Sequence, residues 1–272
     1  KELLFKASEL NFQIHFTPIS VEEYTDWVGR QGKQRWIITT LGRELTSRHI
    51  ALVSDVISKQ NLNIALSEGD IVDVYTKQGN FIARGHYQIG SIAVRVLSFE
   101  EESIDQAWWN RRIAAAKALR ESLGMVDNAQ TSCYRLIHGE GDLLPGLVVD
   151  IYERTAVVQC HSVGMYHSRS QIAEAIREAY GDRIEAIYDK SSQTLPYKAE
   201  LGAIDGYLWG RNAEKDIVVL ENGLKFKVNW EEGQKTGFFI DQRENRDLVR
   251  QYAKGRKVLN TFCYTGGFSV AA

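Results

Sequence analysis

A chain of 272 residues is long for one domain and comfortable for two or three. Its 44% hydrophobic and 25% charged residues are ordinary for a folded soluble protein, and no apolar run approaches the roughly 18 residues that would suggest a membrane span. A net charge of −2 carries no electrostatic sign of nucleic-acid binding, so any such reading has to rest on motifs.

The N-terminus, Lys1-Glu-Leu-Leu-Phe-Lys6, is too interrupted for a secretory signal, and it lacks an initiator Met, so the start reads as cut. Cys133, Cys160 and Cys263 lie far apart with no CxxC pair, which argues against a disulfide framework and fits a reducing cytoplasm.

Four regions follow one another. In residues 1–64 a helical pattern (Leu3, Leu4, Ala7, Leu10) precedes a strand-like Phe12–Phe16. A short helix is expected over Glu22–Val28, a strand over Trp36–Leu41, a helix capped by Thr46, and a further strand near Asn61–Ile64. Residues 65–99 alternate as strands at Gly69–Tyr75, Phe81–Tyr87 and Ile92–Leu97, the first two joined by a turn at Lys77–Asn80. There Asp70 and Asp73 read most simply as polar strand-edge residues.

In residues 100–216, Ser103 and Gln106 form a capping box ahead of a helix running to about Gly124. Strands are expected at Tyr134–Ile137, Leu147–Tyr152 and Ala156–Cys160, a helix over Ile172–Tyr180, and a strand over Ile184–Tyr188. Residues 189–216 read as an irregular connection.

From Val218 the pattern is a hairpin turning at Asn222-Gly223, a loop, a helix from Asp241, a strand at Val258-Leu259 and a glycine turn opening a second helix near Gly267. Gly266 and Gly267 let a ligand lie against bare backbone, and free amides at a helix start favour a carboxylate or phosphate. A strand–glycine–helix turn is also a common structural device. Upstream, Lys235, Thr236 and Arg243 crowd donors around Phe238 and Phe239, a mixture suited to a ligand with an aromatic base and charged ends. Asp241, with Glu244 three residues on, reads equally as a helix N-cap.

Four segments carry a resemblance: Gly79-Asn-Phe-Ile-Ala-Arg-Gly85, the run from Ser132-Cys-Tyr-Arg-Leu-Ile-His138 through Leu147-Val-Val-Asp150, Gly233–Arg243, and Val258-Leu-Asn-Thr-Phe-Cys-Tyr-Thr-Gly-Gly-Phe268. Through them, residues 65–272 resemble the bacterial ribosomal RNA large subunit methyltransferase I family, S-adenosylmethionine-dependent enzymes acting on carbon 5 of a 23S cytosine. The resemblance implies a multidomain α/β and α+β fold: part of a PUA β-barrel at 65–99, a central α+β domain at 100–216, and the opening of a Rossmann-like methyltransferase domain at 217–272. It implies S-adenosylmethionine as cofactor, faced by Lys235, Thr236, Gly237, Phe238, Phe239, Asp241, Arg243, Asn260, Phe262, Tyr264, Thr265, Gly266 and Gly267. Large-subunit ribosomal RNA is the implied partner, in the cytoplasm and away from membranes, with a homodimer left open.

The family's cysteine motifs and the acidic ribose contact would lie beyond Ala272. The chain as written is therefore expected to bind cofactor weakly or not at all and to transfer no methyl group. No catalytic nucleophile is assigned, and His161, His167 and Cys160 lack the spacing of a metal site.

Residues 1–64, through Phe16-Thr-Pro-Ile-Ser-Val-Glu-Glu-Tyr24 and Gly32–Arg43, resemble instead part of the amino-acid-binding ACT region of a phosphoserine phosphatase, a βαβ fragment. The phosphatase's DxDx[TS] nucleophile loop is absent from the chain. Two part-domains would then meet near Ile64-Ala65, as a fusion or a chimera. The alternative to an enzyme is a non-enzymatic binding protein, either an amino-acid sensor through residues 1–64 or an RNA-binding module.

Overall fold

The computed structural model describes residues 12–14, 37–42, 51–53, 67–76, 80–90, 92–196, 201–212 and 216–272. The expected helices at 1–10, 22–28 and from Thr46, and the strand near 61–64, lie outside the described residues. The chain divides into two compact units, the first holding the described residues up to Ile104 together with Leu143–Gly146 and Ser162–His167.

The first unit is built on a six-stranded sheet. Its strands are β1 (Phe12–Ile14), β2 (Ile37–Gly42), β3 (Ala51–Val53), β4 (Ile71–Thr76), β5 (Phe81–Tyr87) and β6 (Ile92–Ser98), in the order β1-β2-β4-β5-β6-β3. β2 runs parallel to β4, and every other pairing is antiparallel. Strands on both sides of the expected join near Ile64 therefore share one sheet, and each supplies hydrogen-bonding partners to the other's edge.

β-branched and small residues fill its core: Val72, Val74, Ile82, Ala83, Ala93, Val94 and Val96. Asp73 is not an edge residue. It is fully buried opposite Arg84, whose Nε and Nη2 reach its carboxylate at 2.5 and 3.0 Å, because a cross-strand guanidinium neutralises it in place of water.

His86 on β5 is buried against helix α2 (Val163–His167), where a Cβ added to Gly164 would fall 2.1 Å from the imidazole. Burial, reinforced by the positive charges of His167 and Arg95, lowers its pKa to about 3. Its Nδ1 has no hydrogen-bond partner among the described residues.

The second unit centres on five strands: β7 (Cys133–His138), β8 (Leu147–Tyr152), β9 (Thr155–Cys160), β10 (Ala186–Asp189) and β11 (Gly206–Gly210). Their order is β11-β10-β9-β8-β7, and only β9 and β10 are parallel. That parallel step needs a crossover, and helix α3 (Arg169–Tyr180) lies within it. β9 is buried along its whole length, as a central strand covered on both faces must be.

Helix α1 (Gln106–Ser122) lies beside α3, with Gln106 and Lys117 donating to the carbonyls of Gln171 and Ala179 at 2.9 Å each. Asp105, not Ser103, caps it, accepting from the Trp108 amide at 3.0 Å. β11 arises inside the stretch read as irregular. Its Gly-Tyr-Leu-Trp-Gly is short and only half buried, an edge strand with little periodic signal.

Strands β12 (Ile217–Glu221) and β13 (Leu224–Val228) form the expected hairpin, with Asn222 and Gly223 both left-handed at φ 49° and 78°. The hairpin shares one core with the central sheet, joining Cys133, Tyr152, Val157 and Tyr188 to Val219, Phe226, Val228 and Trp230. Helix α4 (Arg243–Ala253) is fastened to it by a buried pair, Arg246 Nε and Nη2 meeting the two Glu221 oxygens at 2.6 and 2.7 Å. The expected strand at Val258-Leu259 does not form. Both side chains are exposed, and no described strand pairs with them, so this β-prone dipeptide has no sheet to join.

Two outcomes follow from this packing. Because unfolded histidine titrates near 6.5 and folded His86 near 3, the unfolded state binds the extra proton between those values. Stability is then complete above about pH 6.5 and falls toward pH 3 by up to about 1.4 kcal/mol per pH unit. Urea titrations across pH 4–7 should show a shallower slope for His86→Phe than for the parent; equal slopes would remove His86 as the cause. Glu221→Ala should cost about 3–5 kcal/mol in urea unfolding followed by tryptophan fluorescence, since it strands a buried guanidinium. A loss under about 1 kcal/mol would show that the pair is dispensable.

Candidate functional site: the cleft at Lys235, Asp241 and Tyr264

After β13 the chain reaches Trp230, fully buried and stacked 6.3 Å from Tyr152. The following loop is held from the central sheet. Lys190, at the end of β10, donates its ammonium protons to the carbonyls of Trp230 and Gly233, and burial lowers its pKa. Lys235 adopts a left-handed φ of 50° and Gly237 one of 119°. At Gly237 a Cβ would fall 3.0 Å from the Trp230 Cα, so glycine is required there.

These twists turn alternate side chains in opposite directions. Thr236 faces inward, 1% exposed, and Phe238 packs 5.0 Å from Phe226. Lys235 and Phe239 face outward, the ammonium standing 4.3 Å above the Phe239 ring.

Asp241 lies 3.4 Å from the Lys235 ammonium. Partial burial alone would raise its pKa, but donors from Gln242 and Lys235 outweigh that and hold the carboxyl below its usual range. This engagement explains a departure from the expected N-cap. Asp241 sits in a 3-10 turn, Ile240–Gln242, and α4 begins at Arg243 behind Gln242 with no side-chain cap.

Arg246, one turn into α4, reaches back under the loop. Its Nη2 donates to the Phe239 carbonyl at 2.8 Å, and its guanidinium lies 4.4 Å from the Phe238 ring. The other wall is the turn at 260–268. Tyr264, at φ 44°, sets its ring edge-on to Phe239 at 5.4 Å, and its hydroxyl accepts from the Gln234 amide at 2.7 Å. Gly266 at φ 76° leads into helix α5 (Gly267–Ala271), and a Cβ on Gly267 would meet the Arg246 Cδ at 3.3 Å.

Between these walls is a cavity of about 340 Å³. Of the residues the sequence singled out, Lys235, Phe238, Phe239, Asp241, Phe262, Tyr264, Thr265 and Gly267 line it together. Gly266 shapes the turn, and Asn260 braces it, accepting from the Phe262 amide and donating to Ser269. Thr236 and Gly237 do not reach the cavity. Arg243 borders a different one of about 510 Å³, beside Arg135 and His138, and donates to the Cys133 carbonyl at 2.5 Å. Sequence reasoning missed Arg246, which also lines the 340 Å³ cavity; its signals are the i, i+3 spacing from Arg243 and an acidic Glu221 ending a hairpin strand.

The residue set fits an adenosine-like molecule with an amino-acid end: a cation, an anion, three accessible aromatic rings and a glycine turn without Cβ crowding. It does not supply a nucleophile. Burial pushes both the Cys133 and Cys160 thiols up to about 12, which keeps them protonated. Cys263 is exposed on the turn. Among the described residues no cluster of His, Cys, Asp or Glu could hold a metal, and no helix is long and apolar enough to cross a membrane.

Residues 197–272 match the family model of S-adenosylmethionine-dependent methyltransferases, and residues 41–99 that of PUA-like domains. Proteins named ribosomal RNA large subunit methyltransferase I are similar along most of the chain. That of Erwinia tasmaniensis is 38% identical over 240 residues, covering 87% of this chain and 59% of its own length. That of Pseudoalteromonas atlantica is 39% identical over 233 residues, covering 84% and 57%.

Two solved structures share the fold at 25% identity. A SAM-dependent methyltransferase from Streptococcus mutans has a TM-score of 0.67, covering 81% of this chain and 55% of its own. A methyltransferase complexed with SAH has a TM-score of 0.68, covering 82% and 55%. A match over 87% of the chain cannot be confined to residues 65–272, and the PUA-like model begins at residue 41. Both therefore enter the segment read as ACT-like, and that likeness gains no support. Taken together, the chain is similar to ribosomal RNA large subunit methyltransferase I proteins and spans 57 to 59% of the length of these relatives.

Proposed function

We propose that this chain serves S-adenosylmethionine-dependent methylation of large-subunit ribosomal RNA, with the cleft at Lys235, Phe239, Asp241 and Tyr264 as its cofactor site. The observation that carries the reading is that two separate segments, 235–246 and 262–268, close one cavity with complementary donors inside the region matched by the methyltransferase family model. S-adenosylmethionine, when bound, supplies a methyl group activated by its positive sulfur.

The chain's own residues then bind and orient. Lys235 offers a cation to a carboxylate, and Asp241, kept ionised, offers an anion to an ammonium or a ribose hydroxyl. Phe239, Phe262 and Tyr264 offer aromatic surface to a purine. The PUA-like sheet is the RNA-reading part, and the acceptor implied by the sequence resemblance is carbon 5 of a 23S cytosine. With both buried thiols protonated, neither Cys133 nor Cys160 is the nucleophile that such chemistry needs.

S-adenosylhomocysteine should raise the melting temperature of the 1–272 chain, whereas serine should leave it unchanged. By isothermal titration, Asp241→Ala and Phe239→Ala should each weaken that binding by about tenfold, the loss of one charged or aromatic contact. Stabilisation by serine alone would overturn the cofactor reading in favour of an amino-acid sensor.

A further inference from the structure

Thr236 stands in the middle of the cofactor-facing segment, yet its hydroxyl points away from the cavity and into the central sheet. Oγ1 donates to Asp150 Oδ2 at 2.6 Å and lies 2.8 Å from the Tyr152 hydroxyl. A threonine has one hydroxyl proton, and the carboxylate takes it, so Tyr152 must be the donor in the second contact. The result is a directed relay, Tyr152 to Thr236 to Asp150, with the same phenol 3.4 Å from the Phe238 carbonyl.

Asp150 is fully buried on β8, and Tyr152 is fully buried two residues further on. The carboxylate is otherwise satisfied by Arg135, whose Nε and Nη2 reach it at 2.8 and 3.0 Å. Every group in the relay lies in the second unit, on rigid sheet or on the loop it holds.

The neighbours of Thr236 are those that need aiming. Lys235 is in a left-handed conformation that a lysine does not favour, and Gly237 is left-handed as well. A loop with two such residues would relax if its middle were free. A hydrogen bond to a buried carboxylate is strong enough to prevent that.

We propose that Asp150, a central-sheet residue outside the cavity, is a positioning residue of the cofactor site. Through Thr236 it latches the segment Lys235–Phe239 so that the Lys235 ammonium and the Phe239 ring face the cleft before any ligand arrives. Thr236 is then the latch and not a cofactor contact. This rests on the cofactor reading above and deepens it.

The test uses the 1–272 chain and two readouts, amide hydrogen exchange over residues 233–241 and S-adenosylhomocysteine affinity by isothermal titration. Thr236→Val keeps the shape and removes the hydroxyl, and Thr236→Ser keeps the hydroxyl. Asp150→Asn removes the charge and serves if the valine variant does not fold. The latch predicts that Thr236→Val speeds exchange in 233–241 and weakens binding by about tenfold, while Thr236→Ser stays within about twofold of the parent on both.

Unchanged exchange and affinity in Thr236→Val and Asp150→Asn would overturn it. So would weaker binding with unchanged exchange, which would make Thr236 a direct contact. If the parent chain binds no S-adenosylhomocysteine, the cofactor reading falls. The exchange comparison then still decides the latch, and unchanged exchange in Thr236→Val rejects it.

Discussion

The Glu221–Arg246 pair is the interaction on which the second half of the second unit depends. Two parallel charge-assisted hydrogen bonds at 2.6 and 2.7 Å join the last residue of β12 to the first turns of α4, both partners nearly dehydrated. A buried ion pair adds little net stability over a well-packed apolar pair, but it is unforgiving of displacement, because either partner alone is a costly buried charge. It therefore sets a register. The planar fork of Arg246 also carries the Phe239 carbonyl and stacks near Phe238, so the same residue that locks the helix shapes the floor of the cleft. Lysine, a point charge without a fork, could not do both.

Around that lock the loop between β13 and α4 has almost no regular structure of its own, and its order is borrowed. Lys190 takes two of its carbonyls, Asp150 takes the Thr236 hydroxyl, and Tyr264 takes the Gln234 amide. Each tie replaces a bond that water would otherwise make, and each removes backbone freedom that a ligand would otherwise have to remove on binding. The central sheet and the hairpin share one apolar core, so these ties join parts that are already packed together.

The first unit shows a different use of charge. Asp73 and Arg84 sit opposite each other on adjacent strands, a charged pair buried within the sheet. His86 adds a neutral imidazole whose burial disfavours its charged form, pressed against Gly164 of α2, where there is no room for a Cβ. The strands before residue 64 hydrogen-bond into this same sheet. A boundary drawn there from local likeness separates pieces that share a ladder.

Much was legible from residue pattern alone. Alternation marked β4 to β6 and the Asn222-Gly223 dipeptide marked the hairpin, because these signals are local and set by backbone sterics. Lys235 and Phe239, crowded beside the glycine turn, also marked the cleft, and Asp241 came with the family resemblance. Side-chain direction was not legible. Thr236 turns inward, Arg243 borders another cavity, Asp241 pairs with Lys235 instead of capping a helix, and Val258-Leu259 forms no strand.

Nothing in sequence linked Asp150 to Thr236, 86 residues apart, and only the acidic end of β12 hinted at a partner for Arg246, 25 residues on. The sequence by itself determined most of the described regular elements and which residue types gather near the cleft. Only the tertiary structure decided which of them face it, because a left-handed residue at 235 or a buried carboxylate on a distant strand reverses a side chain's direction without changing the local pattern.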